Sequence, residues 1–205
     1  LAFIGVITGL KSEADCLDPL IAADLPPMVR CSGARTRRAR GAAEELLELG
    51  CGGLVSFGLA GALSEDLHAG DLVIPRTVLS AGGQQWSVHE IWRAEVIAAC
   101  EERCLIPGDS PLLGSDQALT TVFEKSAASR SSGASAVDME SHAVAAAADA
   151  AGIPFIAMRI IADEADTAIP AAALDAVRPD GSISLLPIIA GLIIRPWSLG
   201  SYLRL

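Results

Sequence analysis

The stretch Ala136 to Asp166 limits what this chain can become. It reads as a helix, a stop, a buried strand and a group of carboxylates. Asp138 and Ser141 are good helix-start residues, and the alanine-rich run Ala143 to Ala151 continues the helix. Gly152 and Pro154 end it. Phe155 to Ala162 is apolar apart from Arg159, which suits a strand covered on both faces of a parallel sheet. The charges return at once as Asp163, Glu164 and Asp166. In open α/β sheets ligands bind outside the carboxyl ends of the strands. Asp163 therefore stands where a site residue would, and capping the next turn is the competing reading.

The rest of the chain repeats the alternation. Strands are expected at Ala2 to Ile7, Met28 to Cys31, Gly53 to Phe57, Leu72 to Pro75 and Ser110 to Gly114, with Val78 to Gln85 pairing on. Helices are expected at Leu10 to Leu20, from Arg35 to Leu49, at Val88 to Cys104 and through Val122 to Ala128, and Ser129 to Ser135 reads as a loop. This order predicts an α/β fold with a mostly parallel central sheet. A chain of 205 residues fits one domain over 1–205.

Composition excludes several classes. The net charge of −10 disfavours nucleic-acid binding, which needs a basic footprint. A hydrophobic content of 51% calls for a large core, a subunit interface, or both, and agrees with a homo-oligomer. Cys16, Cys31, Cys51, Cys100 and Cys104 are odd in number and form no C-x-x-C, so they read as reduced thiols of a cytoplasmic protein without a metal site. Leu1 to Val6 carries no charged leader pattern. The longest uncharged run, Gly181 to Ile194, is broken by Pro187 and too short to span a bilayer. It leaves open a peripheral contact at the inner membrane face.

Two features suggest a small-molecule site. The strand Gly53 to Phe57 delivers Gly58-Leu59-Ala60-Gly61-Ala62, whose glycines allow close backbone approach to a ligand. The arginines Arg35, Arg37, Arg38 and Arg40 open a helix after Ser32-Gly33, either as a solvated face or as an anion site.

Three separated stretches, Val6 to Glu13 (VITGLKSE), Leu54 to Pro75 (LVSFGLAGALSEDLHAGDLVIP) and Val137 to Ser141 (VDMES) followed by Arg159 to Asp166 (RIIADEAD), resemble the purine nucleoside phosphorylase and methylthioadenosine nucleosidase superfamily. Within it, the short length and the closing IIRPWSLGSYLRL are most similar to the hopanoid-associated phosphorylases. That branch is thought to remove adenine from adenosylhopane.

The resemblance implies a three-layer α/β/α sandwich and cleavage of a purine N-glycosidic bond, with no metal or organic cofactor. It makes Asp163 the acid that protonates the purine, and Glu13 the carboxylate that activates water. It puts Met139 and Glu140 under the ribose, and Gly58, Ala60 and Gly61 on the pocket floor. Ala118 and Leu119 fall where nucleosidases place an aromatic against the base. If inorganic phosphate is the co-substrate, Thr8, Gly9, Lys11, Ser32, Gly33 and Arg35 are its candidate holders.

The chemistry asks for such groups independently. Loss of a purine leaves an oxocarbenium-like sugar, adenine leaves poorly until protonated, and a carboxyl acid near neutral pH needs its pKa raised by burial or like charge. Glu164 and Asp166 are candidates to supply that like charge.

The pattern departs from the family at Leu59, Ala162 and Ala118-Leu119, where polar or aromatic residues are common. These aliphatic positions suit an apolar substrate, including a nucleoside with a hopanoid tail. The acceptor, phosphate or water, stays open. So do a methylthioadenosine-type nucleosidase, a noncatalytic nucleoside-binding module and a scaffold role. His142 reads as structural, and His68 and His89 as surface residues.

Overall fold

The computed structural model describes residues 2–170, 173, 176–178 and 180–183. The closing IIRPWSLGSYLRL and most of the uncharged run Gly181 to Ile194 lie outside the described residues. In chain order the strands are β1 (Ile4–Thr8), β2 (Met28–Cys31), β3 (Gly53–Ala62), β4 (Leu72–Val73), β5 (Thr77–Ser80), β6 (Gln85–Ser87), β7 (Leu112–Gly114), β8 (Ala136–Asp138) and β9 (Phe155–Asp163). The helices are α1 (Lys11–Asp15), α2 (Thr36–Glu48), α3 (Glu90–Glu101), α4 (Val122–Ser132) and α5 (Ser141–Ala151).

The strands form one mixed sheet in the order β2-β1-β3-β8-β7-β5-β6, with β9 pairing β3 and β4. Helices flank it, as the α/β reading predicts. β3 is the hub. Its first half pairs in parallel with β1, its end pairs antiparallel with β8, and β9 runs parallel along its whole length. The carboxyl ends of β1, β8 and β9 and the second half of β3 therefore converge.

Packing follows from small side chains. Ala143, Val144, Ala145, Ala147 and Ala148 of α5 are all buried. Short side chains let this helix sit close against the sheet, where one methylene more would be felt. α2 buries Ala39, Ala43 and Leu46, one stripe at helical spacing. Leu54, Val55, Ile156 and Ala157 of the paired strands β3 and β9 complete the main core.

Four sequence expectations change. The helix expected over Leu10 to Leu20 stops at Asp15, and a short 3₁₀ turn, Asp18–Ala22, follows. Pro19 explains the break, because its ring blocks a helical turn and it offers no amide. The expected strand from Val78 to Gln85 is a hairpin of β5 and β6. α4 runs on to Ser132, so most of the expected loop at Ser129 to Ser135 is helical, and Gly133 ends it. Asp138 does not open a helix. It closes β8, a three-residue strand too short to leave a periodic signal, and the helix starts at Ser141.

β3 continues past Phe57, so Gly58 lies inside the strand, with φ of 153°. A Cβ there would stand 2.5 Å from the Glu13 carboxyl carbon. Backbone angle and space both demand glycine. Gly58→Ala is expected to lower unfolding stability by about 1–3 kcal/mol, measured as a shift of the urea midpoint. An unchanged midpoint would show that β3 and Glu13 can give way freely.

Candidate active site

A cleft of about 230 Å³ opens where these strand ends meet. Its wall includes Gly9, Glu13, Leu59, Ala60, Gly61, Ala118, Leu119, Met139, Glu140 and Asp163, residues that lie far apart in sequence. Gly58 lies beneath Glu13 rather than on the wall.

Glu13 reaches the cleft from α1, the short helix after β1, and is buried. Its Oε2 accepts the amides of Gly9 and Leu10 at 2.7 and 2.8 Å, and its Oε1 accepts the amide of Leu59 at 2.8 Å. These three bonds fix the carboxylate between β1 and β3.

Asp138 ends β8 and Glu140 stands in the turn joining β8 to α5, and both are buried. Between them and β3 lies Arg159, 1% exposed. Its Nε donates to Asp138 Oδ2 at 2.7 Å, and its Nη2 donates to the hydroxyls of Ser56 and Ser141. Nη2 also lies 3.7 Å from Glu140 Oε2. Burial disfavours the Arg159 charge, but Asp138, Glu140 and Glu13 outweigh it and raise its pKa. The guanidinium is thus the common counterion of three carboxylates. Asp138 also accepts the amide and hydroxyl of Ser141, which anchors the start of α5.

Glu140 has its pKa raised from 4.5 to about 7. Burial is the largest cause, Asp138 and Glu13 repel a further negative charge, and Arg159 opposes them. Ser32 donates to its Oε1 at 3.5 Å, a long contact.

Asp163 ends β9 and lies over Gly61, where a Cβ would stand 2.8 Å from its Oδ2. Lys125 of α4, 1% exposed, donates to that same Oδ2. Burial pushes the Asp163 pKa up, and the hydrogen bond and charge of Lys125 pull it back without cancelling the rise. The like-charge contribution expected from Glu164 and Asp166 is absent from these causes. Glu164 lies 3.5 Å from His68 instead, and Asp166 is exposed. Asp163 is held by an ion pair rather than capping a turn.

Of the phosphate candidates, Thr8 and Gly9 lie beside Ser32 and Gly33 at the neighbouring ends of β1 and β2, where the Ser32 amide donates to the Thr8 carbonyl at 2.8 Å and the Ala34 amide to the Gly9 carbonyl at 2.9 Å. The Gly9 amide is taken by Glu13, and Ser32 Oγ points to Glu140. Lys11 is exposed and pairs with Asp15 at 2.8 Å. Thr8 Oγ1 donates to the Leu10 carbonyl. Gly33 and Arg35 line an adjoining open groove of about 960 Å³, together with Arg37, Arg38 and Arg40. The two cavities share Ala34, Gln117, Ala118, Met139 and Val177. Among the described residues, no group of three or more His, Cys, Asp or Glu is placed to hold a metal ion.

His142 is buried on α5, with Nε2 3.2 Å from Asp116, and it does not line the cleft. His89 caps α3. Sequence reasoning passed over the roles of Arg159 and Lys125. The lone arginine in an apolar strand was a usable signal, because a buried charge must be paired. Lys125 carried none, since a helical lysine is ordinarily exposed.

A family model of the phosphorylase superfamily matches residues 31–181. The chain belongs to the phosphorylase superfamily. It is therefore an enzyme of the N-glycosyl-bond-cleaving kind. Curated protein sequences gave no match. Among solved structures, futalosine hydrolase of Helicobacter pylori is similar, with TM-score 0.75 and 18% identity over 80% of this chain and 86% of that one. The 5'-methylthioadenosine/S-adenosylhomocysteine nucleosidase of Helicobacter pylori, bound to butyl-thio-DADMe-Immucillin-A, gives TM-score 0.77 and 16% identity over 95% and 99%. That of Neisseria meningitidis, bound to methylthio-immucillin-A, gives 0.74 and 20% over 81% and 87%. These likenesses establish the nucleoside phosphorylase and nucleosidase fold.

The raised pKa of Glu140 makes stability depend on pH. Its favourable contribution is complete below about pH 4.5 and is lost as pH rises through about 7. Glu140→Gln cannot titrate. Its stability relative to the parent is expected to rise by about 2 kcal/mol between pH 5 and pH 8, read from urea unfolding at both pH values. A constant difference would mean that Glu140 ionises normally.

Proposed function

We propose that this protein hydrolyses the N-glycosidic bond of an adenine nucleoside whose sugar carries an apolar substituent, with adenosylhopane as the substrate. The observation that carries the reading is the charge of the cleft. Its wall holds Glu13, Asp138, Glu140 and Asp163, and no lysine or arginine among the described residues. A phosphate dianion would enter against the charge of Glu13 and Asp138, while Arg159 and Lys125 are already bound to Asp138 and Asp163 and the arginines Arg35, Arg37, Arg38 and Arg40 line the adjoining groove. Water has no such barrier and needs a base, for which Glu13 is placed.

The reaction follows from the residues. Asp163, protonated, gives its proton to the purine while the bond from the sugar to the base breaks and its electron pair leaves with the base. The sugar takes on oxocarbenium character, which the carboxylate of Glu13 stabilises. Glu13 removes a proton from water as the new C–O bond forms, giving a free sugar hydroxyl. Glu140 accepts hydrogen bonds from the ribose hydroxyls, with Met139 beside it.

Leu10, Leu59, Ala118, Leu119, Ile169 and Val177 make the remaining wall largely aliphatic, which supports an apolar substituent over a polar one. We take the enzyme to be a cytoplasmic homo-oligomer that meets its lipid-bearing substrate at the inner membrane face. Leu20 and Ile21 in the 3₁₀ turn and Leu25 just after it are each exposed, which supports an apolar contact of that kind. No helix among the described residues is long and apolar enough to cross a membrane.

Adenine release from adenosylhopane in detergent micelles and from methylthioadenosine tests the reading. Release should not need phosphate, and Asp163→Asn should lower kcat/KM by about 10²–10⁴-fold. Glu13→Gln should lower kcat by a similar order, with less effect on KM. Strict dependence on phosphate would make the enzyme a phosphorylase. Release from methylthioadenosine alone would make it a nucleosidase of that type. No release from either would leave a binding module.

A further inference from the structure

Lys125 occupies a position that helix energetics do not favour. It is the fourth residue of α4, close to the positive end of the helix dipole, where a cation is unwelcome. The helix start is otherwise well built. Glu124 accepts the amides of Thr120 and Thr121, and Thr121 Oγ1 accepts the amide of Glu124. Nothing in the helix itself calls for a lysine, and burying one is costly unless its charge is met.

Its partners supply the reason. The ammonium has three protons and three acceptors: Asp163 Oδ2, the Glu164 carbonyl at 2.6 Å and the Thr167 carbonyl at 2.8 Å. One side chain thus holds both the candidate acid and the loop that follows it. The loop is tied to the same region a second time, because the Ile169 amide donates to the Thr120 carbonyl at 2.8 Å. Ile169 is itself part of the cleft wall. Among the described residues, Asp163 Oδ1 accepts no hydrogen bond, so that oxygen is left for a ligand.

We infer that Lys125 is the positioning residue of the proposed acid: it fixes Asp163 through Oδ2, leaves Oδ1 for the purine, and sets the pH range over which Asp163 carries its proton. The inference rests on the hydrolase reading for its catalytic meaning, but the coupling between the two side chains can be measured without turnover.

The other charges around Asp163 are committed elsewhere. From β9, Arg159 is bound to Asp138, and the next residue, Glu164, lies against His68. From β3 the contact is Gly61, which carries no charge. Glu13 and Glu140 share the cleft but face Arg159 and the amides of β1 and β3. Lys125 is the cation in contact with the acid. Its attraction favours the carboxylate, so removing it must raise the Asp163 pKa.

The experiment is a titration of the full chain labelled with [¹³C]aspartate, in which the carboxyl resonance missing from Asp163→Asn identifies Asp163. In Lys125→Met the midpoint is expected to rise by about one pH unit or more. The basic limb of kcat/KM should move to higher pH by the same amount, because activity is lost as Asp163 ionises. A merely structural lysine would change stability and leave both midpoints in place. Lys125→Gln, which drops the charge and keeps a donor, serves if the methionine variant does not fold. An unmoved or lowered midpoint in a folded variant overturns the inference whatever the activity. A raised midpoint in a chain that releases no base upholds the coupling and overturns the hydrolase reading.

Discussion

One buried guanidinium holds the cleft together. Arg159 sits among Asp138, Glu140 and Glu13, whose combined attraction outweighs the cost of burying its charge. Removing one partner of such a group is strongly destabilising, because it leaves charges without compensation. The bonds also tie elements together. Arg159 belongs to β9, Ser56 to β3, Asp138 to β8 and Ser141 to α5. A single side chain thus fixes three strands and a helix at the point where the cleft forms.

That arrangement gives the two ends of the cleft different electrostatics. Near Arg159, three carboxylates share one cation, and Glu140 responds by holding its proton to about pH 7. At the other end Asp163 has a lysine of its own. The two acids are thus shifted in the same direction, Glu140 by burial beside other carboxylates and Asp163 by burial against the opposing pull of Lys125.

The glycines of β3 make room for the carboxyls of the cleft. Glu13 lies over Gly58 and Asp163 lies over Gly61. The two carboxyls occupy volume that side chains would fill in an ordinary strand. β3 is therefore the floor of the cleft, and its register with β9 shifts between Ala60 and Gly61, where Asp163 comes opposite Gly61. The aliphatic residues Leu59, Ala118 and Leu119 then decide the character of the remaining wall.

The sequence by itself determined the alternation of strands and helices, because apolar runs such as Phe155 to Ala162 and punctuation such as Gly152-Pro154 act locally. It also brought Glu13, Glu140 and Asp163 forward as candidates, through short motifs around each. It did not reveal β8, whose three residues owe their strand conformation to β3 and β7 on either side. It did not reveal how Gly9 and Ser32 are engaged, since the Gly9 amide is taken by Glu13 and the Ser32 hydroxyl turns to Glu140. Only the tertiary structure decided which cation serves which carboxylate. Arg159 lies 21 residues from Asp138, and Lys125 lies 38 residues from Asp163. No local preference records such a pairing, because burial creates the need for a counterion and the sheet order chooses which one is within reach.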